Sequence, residues 1–336
     1  MRAVRLLTPG PLESGPIELG DVAVPEPGPG QLLIQVTACG VCRSNLHMIE
    51  GDWLPSVPAF TPIIPGHEVL GRVVGIGQGV SGFAEHDRVG VMPLWSTCED
   101  CEFCNRGADQ LCQTKQLTGE TVDGGYAEFM LATAAHTYLI PAGLDEVTAA
   151  PLLCPGITGY GAVRKAELGP GKSVAVFGMG GVGHLALQFA ALTGAECIAV
   201  SRGTARLDLA TDLGASRVVD SSDGDAGKRL QKEGGIDAAL VFAPSDEVAA
   251  QAFRALKPGG TLVLGVNAHL GTFPFSFEKH VVGSLLGNRQ MMREVLDIAA
   301  AGKVRVVAEA RPLAEAAEAL ADLKAGKVTG RLVLVP

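Results

Sequence analysis

Nowhere in this sequence do about 18 apolar residues run without interruption, so no segment has the length of a membrane-spanning helix. The opening MRAVRLLTPGPLESG also lacks a continuous apolar stretch followed by a small-residue cleavage site, which argues against export. Lys and Arg nowhere form a block, and the net charge is -9, which disfavours nucleic acid and anionic membrane as partners. Internal repeats and low-complexity tracts are missing as well. These absences leave the expectation of a soluble cytoplasmic protein that acts on a small molecule.

What is present is a large apolar fraction, 47% of 336 residues, which suffices for two cores. Up to about Ala150 the text is short β-rich runs such as QLLIQVTA and HEVLGRVVGIG, cut by Gly and Pro clusters. That pattern predicts a mostly antiparallel β domain. Around Pro170 it changes to strand, glycine loop and helix-spaced apolar residues, and then to strands at ECIAV, RVVD, AALVF and TLVLGV that alternate with helices. This alternation predicts a parallel doubly wound sheet, and with it the α/β class. We expect one domain over residues 1–153, completed by 288–336, and a second over 154–287.

Eight cysteines suit neither a small disulfide scaffold nor an exported protein without a signal, so metal binding is the leading explanation. Cys98, Cys101, Cys104 and Cys112 form CxxCxxCx7C, a spacing that lets four thiolates close around one zinc ion. Such a closed site holds a loop and does no chemistry. Free or disulfide-linked cysteines and an iron–sulfur cluster are the rivals, and nothing else in the chain suggests electron transfer.

The run KSVAVFGMGGVGHLALQFA places Gly178, Gly180 and Gly183, with Gly181 and Val182 between them, directly after a strand and at the start of a helix. That is the context a dinucleotide loop requires: a tight turn, close backbone approach to a pyrophosphate, and close packing of helix on sheet. About 20 residues further on, where an Asp or Glu would accept from the adenosine ribose in NAD-selective folds, stand Ser201 and Arg202, with Arg206 one turn later. A hydroxyl and a guanidinium suit a 2′-phosphate, so NADP(H) is favoured; if Arg202 instead stacks on adenine or faces water, NAD(H) is the alternative.

The segment ACGVCRSNLHMIEGDW, with PGHEVLGRVVGIG and later LLCPGITGYGAV, closely resembles the medium-chain zinc alcohol dehydrogenases, and the resemblance covers nearly the whole chain. It implies a GroES-like catalytic domain, a Rossmann coenzyme domain and an active site in the cleft between them. Position by position, Cys42, His67 and Cys154 match the protein ligands of a catalytic zinc, with Glu68 an occasional fourth. Two thiolates and a neutral imidazole would leave the metal net neutral with an open position for an alcohol oxygen. Ser44 matches the hydroxyl that hydrogen-bonds that oxygen, and His47 the histidine that passes its proton to solvent. Arg43 and Arg331 match pyrophosphate contacts, and Thr158 and Val266 match neighbours of the nicotinamide.

The resemblance thus implies two zinc ions per chain, reversible hydride transfer between a primary or secondary alcohol and its carbonyl, and a homo-oligomer, either tetramer or dimer. A polyol or sugar dehydrogenase of the same superfamily, or a nucleotide-binding protein without turnover, are the alternatives. There are two departures. Asn45 stands where many relatives carry Asp beside the ligand histidine, which leads us to expect a more electropositive zinc site. Trp95 lies nearer the first lobe cysteine than in some relatives and is given no pocket role. Cys39 forms a CxxC with Cys42, but a disulfide there would consume a ligand. Cys197, in a buried strand, reads as core.

Overall fold

The computed structural model describes residues 1–54 and 60–336, and these fall into two compact units. The first comprises Met1–Cys154, Asn288–Ala300 and Val306–Pro336; the second comprises Pro155–Gly287 and Ala301–Arg305. Two details differ from the sequence boundaries: Cys154 stays with the first unit, and Ala301–Arg305 pack with the second.

Among the described residues, the first unit is built on a mostly antiparallel seven-stranded sheet with Gln31–Gly40 at its centre. That strand alternates between buried and open positions through Leu32, Ile34 and Val36, as a sheet with one wet face requires, then becomes continuously buried over Ala38–Gly40. The continuously buried end is where the candidate site forms. Val69–Ile76 pairs antiparallel with it and brings Val69 opposite Cys39, while Arg331–Val335 pairs on its other side and brings Val333 opposite Gly40. Segments far apart in sequence therefore meet at one sheet end. The tail packs into this unit: Leu313, Ala316, Ala319 and Leu320 join a core with Leu32, Ile34, Leu46 and Ile49.

The second unit holds six parallel strands among the described residues, in the order Arg217–Asp220, Glu196–Ser201, Ser173–Phe177, Ile236–Val241, Leu256–Leu264, His280–Gly283. The first three run backward in chain order and the last three forward, so the order reverses at Ser173–Phe177 and Ile236–Val241, the crevice where such sheets bind ligands. Sequence pattern located five of these strands. The sixth, His280–Gly283, is short and open to solvent, so no apolar run announces it. KPGG, which reads as a helix stop, lies inside the long strand Leu256–Leu264, beside a register shift between Ile236 and Ala238. No helix among the described residues is long and apolar enough to cross a membrane.

Candidate metal and dinucleotide sites

Cys42 ends the chain segment leaving the central strand and precedes the helix Arg43–Glu50, whose buried face carries Asn45, Leu46, Met48 and Ile49. Ser44 and His47 sit three residues apart on its half-buried face, as helical spacing dictates. His67 and Glu68 come immediately before the strand Val69–Ile76, and the Gly40 N–H donates to the Glu68 carbonyl at 3.0 Å, which closes this end of the ladder. Cys154 follows the one-turn 3-10 helix Ala150–Leu153 and is buried.

These elements gather Cys42, His67, Glu68 and Cys154 so that one ligand atom from each lies within 4.8 Å of the others. Cys42 Sγ and Cys154 Sγ are 3.9 Å apart. Two sulfurs bound tetrahedrally to one zinc at about 2.3 Å stand about 3.8 Å apart, so the pair is spaced for that ion. The hydrogen bond between the two sulfurs holds the Cys42 thiol well below its usual range and pushes Cys154 up. Burial works against the His67 imidazolium, but the Cys42 thiolate and the Glu120 carboxylate outweigh it and push the ring up to about 10. The cluster thus holds protons that a divalent cation displaces.

Ser44 Oγ lies 3.1 Å from Cys42 Sγ and 3.3 Å from His67 Nε2, so Nε2 faces the cluster and Nδ1 faces away. On the far side of the ring, Asn45 Nδ2 is 3.3 Å and Glu120 Oε1 3.4 Å from Nδ1. The expectation drawn from Asn45 took no account of Glu120, whose carboxylate comes from a loop that nothing in the sequence singles out.

Glu68 is fully buried, and burial raises its carboxyl to about 7 against the pull of Arg331. Arg331 Nη2 donates to Glu68 Oε1, while Glu68 Oε2 and Arg331 Nε are without partners. Arg331, expected from the resemblance at a pyrophosphate, is thus 5% exposed and turned onto the ligand cluster. Arg43 donates from Nη2 to the Leu323 carbonyl at 3.1 Å. His47 Nδ1 is 2.6 Å from Asp52 Oδ2, and its ring lies 6.2 Å from that of Trp53.

Cys98, Cys101, Cys104 and Cys112 form a second group within the same limit of 4.8 Å. Their sulfurs are 3.5 Å apart for Cys101 and Cys104, 3.6 Å for Cys112 and Cys98, and 4.0 Å for Cys98 and Cys104, again tetrahedral edge lengths for zinc. Arg289 fastens the lobe to the tail: Nη1 lies 3.0 Å from Glu99 Oε1 and Nη2 lies 3.2 Å from Asp109 Oδ1.

The glycine loop lies in the second unit, between Ser173–Phe177 and the helix Gly183–Ala191. Gly178 adopts φ +99°, and a Cβ on Gly183 would fall 1.9 Å from the Gly178 carbonyl oxygen, so the turn admits no side chain at either place. At Gly180 an added Cβ would meet nothing within 4 Å, which leaves open space over the loop. No side chain caps the helix at Val182, so the positive end of its dipole faces the loop. This geometry fits a dinucleotide pyrophosphate. The Gly178 N–H donates to the Val200 carbonyl at 2.9 Å, tying the loop to the strand that ends in Ser201. Ser201 is buried, Arg202 exposed and Arg206 half-buried; Thr158 is half-buried in the helix Pro155–Lys165, and Val266 packs against this unit's core.

The alcohol dehydrogenase GroES-like domain family matches residues 28–142, and the zinc-binding dehydrogenase family matches residues 181–301. An alcohol dehydrogenase of Geobacillus stearothermophilus is 40% identical over 324 residues, 95% of either chain. The chain belongs to the medium-chain zinc alcohol dehydrogenase family. Another relative in this family, the alcohol dehydrogenase of Moraxella sp. strain TAE123, is 39% identical over 325 residues, also 95% of either chain. Among solved structures, the alcohol dehydrogenase of the hyperthermophilic archaeon Aeropyrum pernix superposes with a TM-score of 0.93 at 33% identity, covering 100% of both chains. The two matched regions are the GroES-like and Rossmann domains expected from the sequence.

Proposed function

We propose that this chain is a zinc-dependent alcohol dehydrogenase, an oxidoreductase that transfers hydride reversibly between a primary or secondary alcohol and a nicotinamide dinucleotide. The observation that carries this reading is Ser44 Oγ, held within hydrogen-bond distance of both Cys42 and His67, where a substrate oxygen must arrive. Cys42, His67 and Cys154 would hold the catalytic zinc, with Glu68 behind them, and Cys98, Cys101, Cys104 and Cys112 a structural one. When bound, zinc supplies Lewis-acid activation of the substrate oxygen, and the nicotinamide accepts the hydride.

The chain's own side chains then handle the proton. Ser44 Oγ accepts the substrate's hydroxyl proton as it gives up its own, and His47 Nε2, with Asp52 holding Nδ1, takes up a proton and releases it to solvent. In the second unit, the amides after Gly180 receive the pyrophosphate, and Ser201, Arg202 and Arg206 meet the adenosine end. The neighbouring carboxylate on the sheet, Asp220, accepts from the Ser222 N–H at 2.8 Å. Arg202, next to Ser201, is the group that would set the phosphate preference, and NADP(H) is the favoured partner, with NAD(H) the alternative.

A cytoplasmic location suits eight free cysteines. The open edge strand His280–Gly283, with Phe275 87% exposed beside it, supports a homo-oligomer. Turnover is tested by nicotinamide absorbance with primary alcohols, secondary alcohols and polyols, with both dinucleotides, before and after chelation. Activity that chelation abolishes and zinc restores is the expected result. No turnover with any pair, or turnover indifferent to chelation, refutes the reading.

A further inference from the structure

An imidazole that gives Nε2 to a metal must place its Nδ1–H on an acceptor, and that acceptor fixes the tautomer and the ring's direction. His67 turns Nε2 toward Ser44 and the cysteines, so its Nδ1 is the nitrogen that needs the partner. Asn45 lies against it through its amide at 3.3 Å, with Oδ1 buried and without a partner, and an amide carries no negative charge. Glu120 Oε1, 3.4 Å from Nδ1, is the carboxylate acceptor on that side of the ring.

The loop that carries Glu120 is fastened to the backbone just before His67. The Gly124 N–H donates to the Ile64 carbonyl at 2.7 Å, the Gly125 N–H to the Gly66 carbonyl at 2.9 Å and the Tyr126 N–H to the Pro65 carbonyl at 2.9 Å. Asp123 Oδ1 accepts from the Ile64 N–H at 2.9 Å. Contact is close enough that a Cβ on Gly119 would lie 2.6 Å from the Gly66 nitrogen, and one on Gly124 would lie 2.1 Å from the Gly66 oxygen. Only glycine permits that approach, and the result is a carboxylate on a rigid mount, 15% exposed, aimed at a buried ring.

We propose that Glu120 is a positioning residue: its carboxylate accepts from His67 Nδ1–H, orients the imidazole as a zinc ligand and supplies the negative charge that Asn45 lacks. This rests on the zinc reading above. It is tested on the purified full chain by chelator competition for zinc, with Cys154→Ser as the reference that lacks this site and keeps the four-cysteine lobe. Glu120→Gln should weaken the zinc at Cys42, His67 and Cys154 by about ten- to one-hundred-fold. Adding Asn45→Asp to the Glu120→Gln chain should recover most of the loss, because a carboxylate again faces Nδ1. A loss below about three-fold, or no recovery in the double variant, overturns the inference while leaving the zinc site standing. A Cys154→Ser chain that binds as much zinc as the parent overturns the site assignment itself.

Discussion

His47 and Asp52 share a hydrogen bond of 2.6 Å because the helix between them ends in a left-handed turn at Gly51. The Asp52 N–H donates to the His47 carbonyl at 3.0 Å and the Gly51 N–H to the Met48 carbonyl at 3.2 Å, the bonding of a glycine C-cap. That cap folds the Asp52 carboxylate back onto Nδ1 and leaves Nε2 as the acceptor. A proton-passing His47 therefore predicts that His47→Gln slows alcohol oxidation by about ten-fold or more near and below neutral pH, where solvent base is scarce. Asp52→Ala should slow it less, and the double variant no more than His47→Gln alone. Parent-like pH–rate profiles for His47→Gln would remove His47 from the mechanism.

The two cysteine clusters should separate in their consequences. On the proposed reading, in which the buried cluster with Ser44 at its edge is the reactive one, Cys154→Ser or His67→Ala should abolish turnover and leave the chain folded. Cys101→Ser should lower the thermal midpoint while activity per folded chain persists, since its cluster lies in a surface lobe. Metal analysis of each purified chain, alongside rate and unfolding, checks the pair. Unchanged stability for Cys101→Ser together with an unchanged rate for Cys154→Ser would mean the roles are misassigned.

His136 makes acid stability measurable at one residue. Its ring is 2% exposed between Thr97 and Thr133, and burial, helped by the nearby Arg289 charge, pulls it down to about 4. The folded state therefore resists a proton that the unfolded chain accepts near pH 6.5. The stabilising contribution is complete above about pH 6.5 and is lost as the pH falls to about 4, with a ceiling of about 3 kcal/mol. Unfolding midpoints of His136→Gln should fall less steeply than those of the parent across that window. Parallel curves would show that His136 is not protonated on unfolding.

The proposed preference for NADP(H) rests on Arg202. It is exposed at the end of the strand Glu196–Ser201, with no carboxylate at the strand's last position. A charge-assisted contact to a 2′-phosphate is worth about 1.5 to 3 kcal/mol, so Arg202→Ala should cut the NADP-to-NAD ratio of kcat/KM by about ten- to one-hundred-fold. A parent that prefers NAD, or a ratio that the substitution leaves in place, refutes the assignment.

The sequence by itself determined what local pattern encodes. Period-two runs and glycine breaks marked the β-rich half. Strand, GxGxxG and helix in immediate succession marked the dinucleotide loop, whose first and last glycines, Gly178 and Gly183, are needed for reasons visible within six residues. Four cysteines within fifteen residues marked the lobe. Cys42, His67 and Cys154 were legible only through family resemblance, since nothing in their separation brings them together.

The rest was decided by tertiary structure, because it depends on which distant backbones touch. Register between Cys39 and Val69, and between Val333 and Gly40, assembles the cluster and turns Arg331 onto Glu68. Glu120 left no mark in the sequence, since a lone Glu in a polar loop reads as solvated surface. Its carboxylate reaches His67 only because Gly119 and Gly124 let one loop lie directly on the Pro65–Gly66 backbone, a contact that no periodicity records.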